Sequence, residues 1–256
     1  MGCHLISEPI KWLGGVACPP ETFRNYVERN LARGLPEIAL TKAHDQTLYI
    51  ACSGPSLRDT HKELLGKPNV WALNSAHDYL IKNDIVPSHG VAQAPEHQVL
   101  DYFRKAGPGT EYLFASCTHP DLIDHVLSRN GKVTLWHSDC PEEWGVDFKG
   151  RNTIFGGGTI GLRSLDLAWV LGYRDVHVLG LDACISDDDR IGPETPLYAD
   201  RRKDILTFIS NGRAFRALPG YARQVEDFGR TIRPLTGMAV TLYGDGLMQW
   251  ANRPQG

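Results

Sequence analysis

Between residues 47 and 182 the chain repeats one pattern: a short apolar run, a small or polar residue at its end, then a segment with helical periodicity. Thr47–Cys52 ends in Ser53-Gly54-Pro55-Ser56 and leads into Leu57–Leu65, closed by Gly66. Asn69–Leu73 ends at Asn74-Ser75 before His77–Lys82. Ser88–Ala92, Glu111–Ala115, Lys132–Trp136 and Asp175–Leu181 read as further strands, and His97–Lys105, Pro120–Ser128 and Thr159–Leu171 as helices. Strands of this kind separated by helices predict an α/β fold, Rossmann-like, with a mainly parallel sheet and helices on both faces. Beyond Asp182 the pattern changes. Residues 183–205 read as an acidic loop, Leu206–Ile209 and Ala214–Arg216 as a hairpin about Asn211-Gly212, Tyr221–Arg230 as a helix and Ala239–Tyr243 as a late strand. The expected organisation is one nucleotide-binding domain over 46–256, preceded over 1–45 by an extension with a helix near Glu21–Arg33.

Composition narrows the function classes. With 42% hydrophobic and 22% charged residues the chain is globular in type. Its net charge of −3 supplies no general basic field, so nucleic acid is not an expected partner. The six cysteines contain no C-x-x-C pair, which fits reduced thiols rather than a disulfide framework or zinc knuckle. No apolar stretch approaches the roughly 20 residues of a membrane helix. Met1-Gly2-Cys3-His4 lacks the n-region and apolar run of a signal peptide, so the expected compartment is cytoplasmic. A homo-oligomer is left open.

Strand-end residues line the ligand crevice of open parallel sheets, so the strand-to-helix loops are the candidate sites. In Ser53-Gly54-Pro55-Ser56, Gly54 permits close backbone approach and Pro55 stiffens the turn. Ser56 stands where a helix N-cap belongs, and Asp59 would complete a capping box. The second loop, Gly156-Gly157-Gly158-Thr159, opens a helix and spells G-x-G-x-x-G with Gly161. The short run before it makes a true dinucleotide fingerprint a poor match, but three glycines ahead of a helix still suit a phosphate or ribose. Asn74 and Ser75 offer donor and acceptor groups for a ribose or base edge; the bland alternative is an Asx turn or cap. Asp182 ends its strand at the same sheet edge, placed to meet a sugar, a proton or a metal, or else to cap a loop. Arg163 and Arg151 are candidate counter-charges for phosphate. Asp187 and Asp188 belong to a carboxylate run of the kind that binds Mg²⁺, or that simply faces solvent. No two of the ten histidines have the i, i+4 spacing of a helical zinc site.

Tyr49–Leu57, with its Ser53-Gly54-Pro55-Ser56-Leu57 loop, resembles the G-x-G-P-S-L element of the MptE-like 6-hydroxymethylpterin diphosphokinase family. That element is shared with the motility-accessory-factor flagellin glycosyltransferases and resembles one in bacterial lipooligosaccharide sialyltransferases. Val70–Ala76 with Ile85-Val86-Pro87, Gly157–Gly161 with Leu171-Gly172-Tyr173, and Val178–Asp182 are similar to further elements of these families, in the same order. The resemblance implies a Rossmann-like sheet that holds nucleotide phosphates near Gly54 and Gly158 and a nucleoside near Asn74. Two positions depart from it: Ala94-Pro95 stands where Asp-Pro is usual, and no histidine follows His177. The resulting expectation is a transferase using a nucleotide-sugar donor and an unidentified acceptor, with Asp182 and Arg163 as the catalytic pair. The alternatives are an ATP- and Mg²⁺-dependent diphosphokinase and a nucleotide-binding protein without turnover.

Overall fold

In the computed structural model, which describes residues 18–253, consecutive strand residues point into two different cores. β1 (Thr47–Ala51) sends Leu48 and Ile50 to one face and Ala51 to the other. β2 (Val70–Leu73) divides Trp71 and Leu73 from Val70 and Ala72 in the same way. β4 (Glu111–Ala115) divides Leu113 and Ala115 from Tyr112 and Phe114. This period of two, with apolar residues on both faces, is what a parallel sheet covered on both sides requires.

With β3 (His89–Ala92), β5 (Lys132–Ser138), β6 (Thr153–Ile154), β7 (Asp175–Leu179) and β10 (Ala239–Tyr243), these strands form one parallel sheet in the order β10-β7-β1-β2-β3-β4-β5-β6. The chain begins in the sheet interior, steps outward to β6, then returns to β7 on the far side of β1. β8 (Leu206–Ser210) and β9 (Arg213–Ala217) form a separate antiparallel hairpin. The Rossmann-like α/β expectation therefore holds, hairpin included.

The return from β6 to β7 is made by α5 (Ile160–Val170), which lies across the sheet with Leu162, Leu165 and Ala168 buried against Ile50, Leu73, Leu113 and Trp136. α6 (Pro219–Ile232) packs on α5 and puts Phe228 into the same core. The opposite face carries α2 (Leu57–Thr60), α3 (Ala76–Lys82) and α4 (Pro120–Ser128). α7 (Leu247–Ala251), which the sequence pattern did not suggest, folds back beneath the end of β7.

Two expected helices are shorter than their sequence pattern. Leu57–Leu65 is one α-turn followed by a 3₁₀ turn, His61–Leu64. Here Thr60 Oγ1 donates to the Ser56 carbonyl at 2.9 Å and the His61 ring bonds the Arg58 carbonyl at 2.9 Å, side chains competing with the backbone for helix acceptors. His97–Lys105 shrinks to a 3₁₀ turn, His97–Tyr102, confined between Pro95 and Gly107-Pro108.

The segment expected as an extension is part of the core as far as it is described; Cys3, His4 and the rest of its start lie outside the described residues. α1 (Pro20–Leu31) buries Phe23 and Val27 in the main core. Its Asn30 is fully buried and donates from Nδ2 to the carbonyls of Ser116 at 2.9 Å and Thr118 at 2.8 Å, tying the helix to the loop after β4. Asn30→Ala leaves both carbonyls without that donor and should cost about 1–3 kcal/mol. Urea denaturation checks this, with the exposed Arg29→Ala as a control expected to move stability by less than about 0.5 kcal/mol.

Candidate functional site

Because every strand of the main sheet runs the same way, all their C-terminal ends meet at one edge, and a large cavity opens there. It is a cleft of about 1120 Å³. Asn74, Gln93 and Asp139, which follow β2, β3 and β5, form part of its floor. One wall is α5, whose residues Ile160, Arg163, Asp166 and Trp169 recur every third position and so share a face. The opposite wall is α6, which contributes Arg223, Gln224, Asp227 and Arg230 from one face of the helix. Gly156, Gly157, Gly158 and Thr159 close the end where α5 begins.

The electrostatics of the cleft are largely paired. Arg163 bonds Asp139 and donates to the Ile154 carbonyl at 2.9 Å. Asp227 is shared by Arg223 at 3.2 Å and Arg230 at 3.5 Å. Asp166 accepts from the Phe155 backbone N–H at 2.7 Å, which holds the end of β6 against α5. Burial pushes the Asp166 carboxyl above the usual carboxylate range, and the nearby Asp139 adds to the shift. Three polar atoms at the cleft are buried without a partner: Asn74 Oδ1, Thr159 Oγ1 and Arg163 Nε. Thr159 stands at the N-cap of α5, Arg163 one turn into it and Asn74 just after β2; the first N–H groups of α5 have no acceptor within the helix. An unsatisfied polar lining of this kind at a helix start suits an anion or a sugar.

The glycines divide by role. Gly156 and Gly157 adopt φ of +100° and +62°, which a side chain rarely allows. A Cβ on Gly158 would meet nothing within 4 Å; its absence leaves open space rather than relieving a clash. Gly54 is the opposite case: a Cβ there would collide with the Gly180 carbonyl and stand 2.6 Å from Asp182 Oδ2.

The first loop lies across α5 from the cleft. Ser53, Gly54, Pro55 and Asp182 line a smaller cavity of about 150 Å³, which shares Thr159, Ile160 and Gln224 with the large one. Ser75 starts α3 with its carbonyl accepting from the Tyr79 N–H at 3.4 Å, and is not on the cleft wall. Ser56 makes no N-cap bond, so the capping box with Asp59 is not formed. Instead the Ser56 N–H donates to Asp182 Oδ2 at 2.7 Å and its hydroxyl to Asp182 Oδ1 at 2.5 Å. Gln249 of α7 adds a bond to Asp182 Oδ1 at 3.4 Å. Asp182 was expected to face the crevice; its carboxylate is turned into the protein and only 3% of the residue is exposed. The reason lies in sequence-distant packing, for Gly244 and Gly246 after β10 pass directly over it. Burial raises its carboxyl above the ordinary range, against the opposing effect of the Ser56 bonds.

Asp187 and Asp188 are not assembled into a metal site. Asp188 is bonded by Ser186, by Arg58 at 2.8 Å and by Arg190 at 2.9 Å, contacts that hold its carboxyl well below the usual range. Neighbouring Asp189 is taken up by Arg216 at 2.5 Å and Arg202 at 2.7 Å. Among the described residues no group of three or more His, Cys, Asp or Glu side chains is placed to hold a metal ion. The residues that sequence reasoning missed are Gln93, Asp139, Asp166, Trp169 and the α6 stripe. The three-residue spacing of Arg163, Asp166 and Trp169 was the available signal for the α5 members.

A parallel sheet with helices on both faces, and an open cleft where its strands end, defines a Rossmann-like α/β protein with a cleft in the place where that class binds ligands. Residues 22–188 match the family described as 6-hydroxymethylpterin diphosphokinase MptE-like, and the chain belongs to that family. No curated protein matches the chain. Among solved structures it is similar in fold to a MAf glycosyltransferase from Magnetospirillum magneticum AMB-1, with 13% sequence identity and a TM-score of 0.62. The match covers 90% of this chain but 39% of that one, so this chain spans about two fifths of that protein's length. No helix among the described residues is long and apolar enough to cross a membrane.

Two substitution pairs separate structural from ligand-facing roles. Gly158→Val should fold with a nearly unchanged melting temperature but fill the space ahead of α5, abolishing ligand binding by calorimetry. Gly54→Ala should instead destabilise the fold by roughly 1–3 kcal/mol, because backbone must move to admit the methyl group. At Asp182, Asn retains an acceptor for the Ser56 N–H in an uncharged group, so Asp182→Asn should change stability little. Asp182→Ala should cost about 1–3 kcal/mol by leaving buried donors unpaired. Denaturation of each variant at neutral pH checks both expectations.

Proposed function

We propose that the cleft binds a nucleotide-linked donor and that the chain transfers a sugar from it to an acceptor. The observation that carries this reading is the start of α5. There, open space at Gly158 and unspent helix N–H groups lie at one end of the 1120 Å³ cleft, and the lining residues Asn74, Thr159 and Arg163 each carry a polar atom without a partner. On this reading the leaving phosphate lies at that helix start, where its growing negative charge meets the helix dipole and the Arg163 guanidinium. Asn74 contacts the ribose or base. The Ser53–Pro55 turn closes the smaller cavity behind Thr159, and Asp182 supports that turn from within. The likeness to a MAf glycosyltransferase supports the choice of a sugar as the transferred group, through the fold alone.

The second reading is an ATP-dependent diphosphokinase acting on a hydroxymethylpterin-like substrate, which the description of the family favours. It calls for Mg²⁺ at the phosphates. Since Asp188, Asp189 and Asp139 are all occupied by arginines, Asp166 and the nucleotide itself would be the groups left to hold it.

A thermal-shift screen of nucleotides and nucleotide sugars, followed by product analysis with and without Mg²⁺, decides between them. Transfer predicts release of a nucleoside phosphate from one nucleotide sugar. Strict Mg²⁺ dependence with conversion of ATP to AMP points to diphosphate transfer, and tight binding without turnover to a non-catalytic protein. Arg163→Ala should lower turnover on the order of 10²-fold, as expected for loss of one charge-stabilising group, with a smaller effect on nucleotide affinity.

A further inference from the structure

We propose that Asp166 is the catalytic base of the cleft, taking the proton of the acceptor hydroxyl as that oxygen attacks the transferred sugar. This rests on the transfer reading above and adds the residue that drives the attack.

Position is the first argument. On the cleft-facing stripe of α5, Asp166 lies one turn beyond Arg163 and seven residues from Thr159, about 10 Å along the helix axis at the α-helical rise. The helix start is the phosphate end on the proposed reading. That distance leaves a phosphate and the transferred group between it and the carboxylate, where an acceptor would stand.

Availability is the second. Asp139 is committed to Arg163, and Asp227 to Arg223 and Arg230. Glu96, the remaining carboxylate of the lining, is exposed on the rim. Asp166 is the half-buried carboxylate of the cleft whose recorded bond is a single N–H, from Phe155 to Oδ2. That bond fixes the orientation of the group and leaves Oδ1 for a substrate proton, as a positioned base requires. Aromatic side chains flank it: Phe155, 59% exposed despite its size, and Trp169 one turn further along α5. They offer apolar surface for the face of a sugar ring.

Proton affinity is consistent with the role. Burial and Asp139 raise the Asp166 carboxyl, with Arg163 opposing them; Arg223, Asp227 and Arg230 face the same space from α6. A base must be deprotonated to act, so turnover should be lost as pH falls through this raised pKa, above the range of an ordinary carboxylate. In the step itself, the acceptor O–H proton passes to Asp166 and the acceptor oxygen forms the bond to the sugar's anomeric carbon. The bond from that carbon to the phosphate oxygen breaks, its electron pair leaves with the nucleotide phosphate, and Asp166 later releases its proton to solvent.

The competing role is purely structural, with Asp166 needed only to hold Phe155 and the end of β6. Asp166→Asn separates the two, since the amide oxygen still accepts from the Phe155 N–H but the group takes up no proton. Nucleotide release from the donor found by the screen is measured against pH for wild type and variant, with nucleotide affinity by calorimetry and melting temperature. The expected result is affinity within about twofold, an intact fold, a fall in kcat on the order of 10²–10⁴-fold and loss of the acidic limb. Retention of kcat within threefold with the same acidic limb overturns the proposal. Should Asp166→Asn melt lower, Asp166→Ala with added formate provides the second measurement. Restored turnover supports the base, and absence of rescue in a folded variant overturns it. A wild-type protein that binds nucleotide sugars but releases no nucleotide overturns the transfer reading itself, and the base with it.

Discussion

The structure depends on a single crossing. β6 lies at one edge of the sheet and β7 on the other side of β1, so the connecting helix must traverse the sheet face rather than cover two neighbouring strands. Its burial against Ile50, Leu73, Leu113 and Trp136 fixes α5 over the sheet. Burying each large aliphatic side chain on such a helix is worth about 1.5–3 kcal/mol, against which the entropy of three glycines at its start is a smaller charge. The crossing also makes the cleft. A helix lying obliquely from one edge toward the middle leaves its first turn over the strand ends, and α6 packed on its outer side supplies the second wall.

That arrangement separates two kinds of polar group. Most charges near the cleft are matched in pairs, and pairs that are partly exposed add little to stability. Their effect is to hold guanidinium and carboxylate groups in fixed directions. The unmatched groups are few: Asn74, Thr159 and Arg163 each hold one polar atom without a partner, and Asp166 accepts a single bond. A cleft whose charges are mostly cancelled offers few groups to a ligand, and their positions limit what it can hold.

Much of the sheet was legible in the chain because its strands are short apolar runs with a polar residue at each end, from Thr47 through Leu179. The glycines before α5 were legible as a demand for space. What sequence left hidden has a common cause in contacts between distant segments. Asp182 reads as a crevice residue until Gly244, Gly246 and Gln249 close over it, some 60 residues further along. Asp187 and Asp188 read as a metal loop until Arg58 arrives from a different part of the chain. The α6 wall lay in a region where the strand–helix rhythm had stopped, so its Arg223, Asp227 and Arg230 had no sheet edge to be referred to. Asp166 was hidden differently: its spacing from Arg163 placed it on the same helical face, but a carboxylate has no charge complementary to the phosphate that the glycines implied.

The bond between Asp182 and Ser56 has one more consequence. A carboxyl group resting on a loop N–H and a hydroxyl takes the donors that a bound phosphate would use, so the first loop carries its own resident acceptor. A loop already occupied from inside does not wait for a ligand to organise it; its shape is set when the sheet closes. A guest anion at that spot would find the loop's N–H and hydroxyl already taken by a buried carboxyl group. The preorganised turn thus offers an anion few free donors, whereas the first turn of α5, on the other side of Thr159, keeps its own.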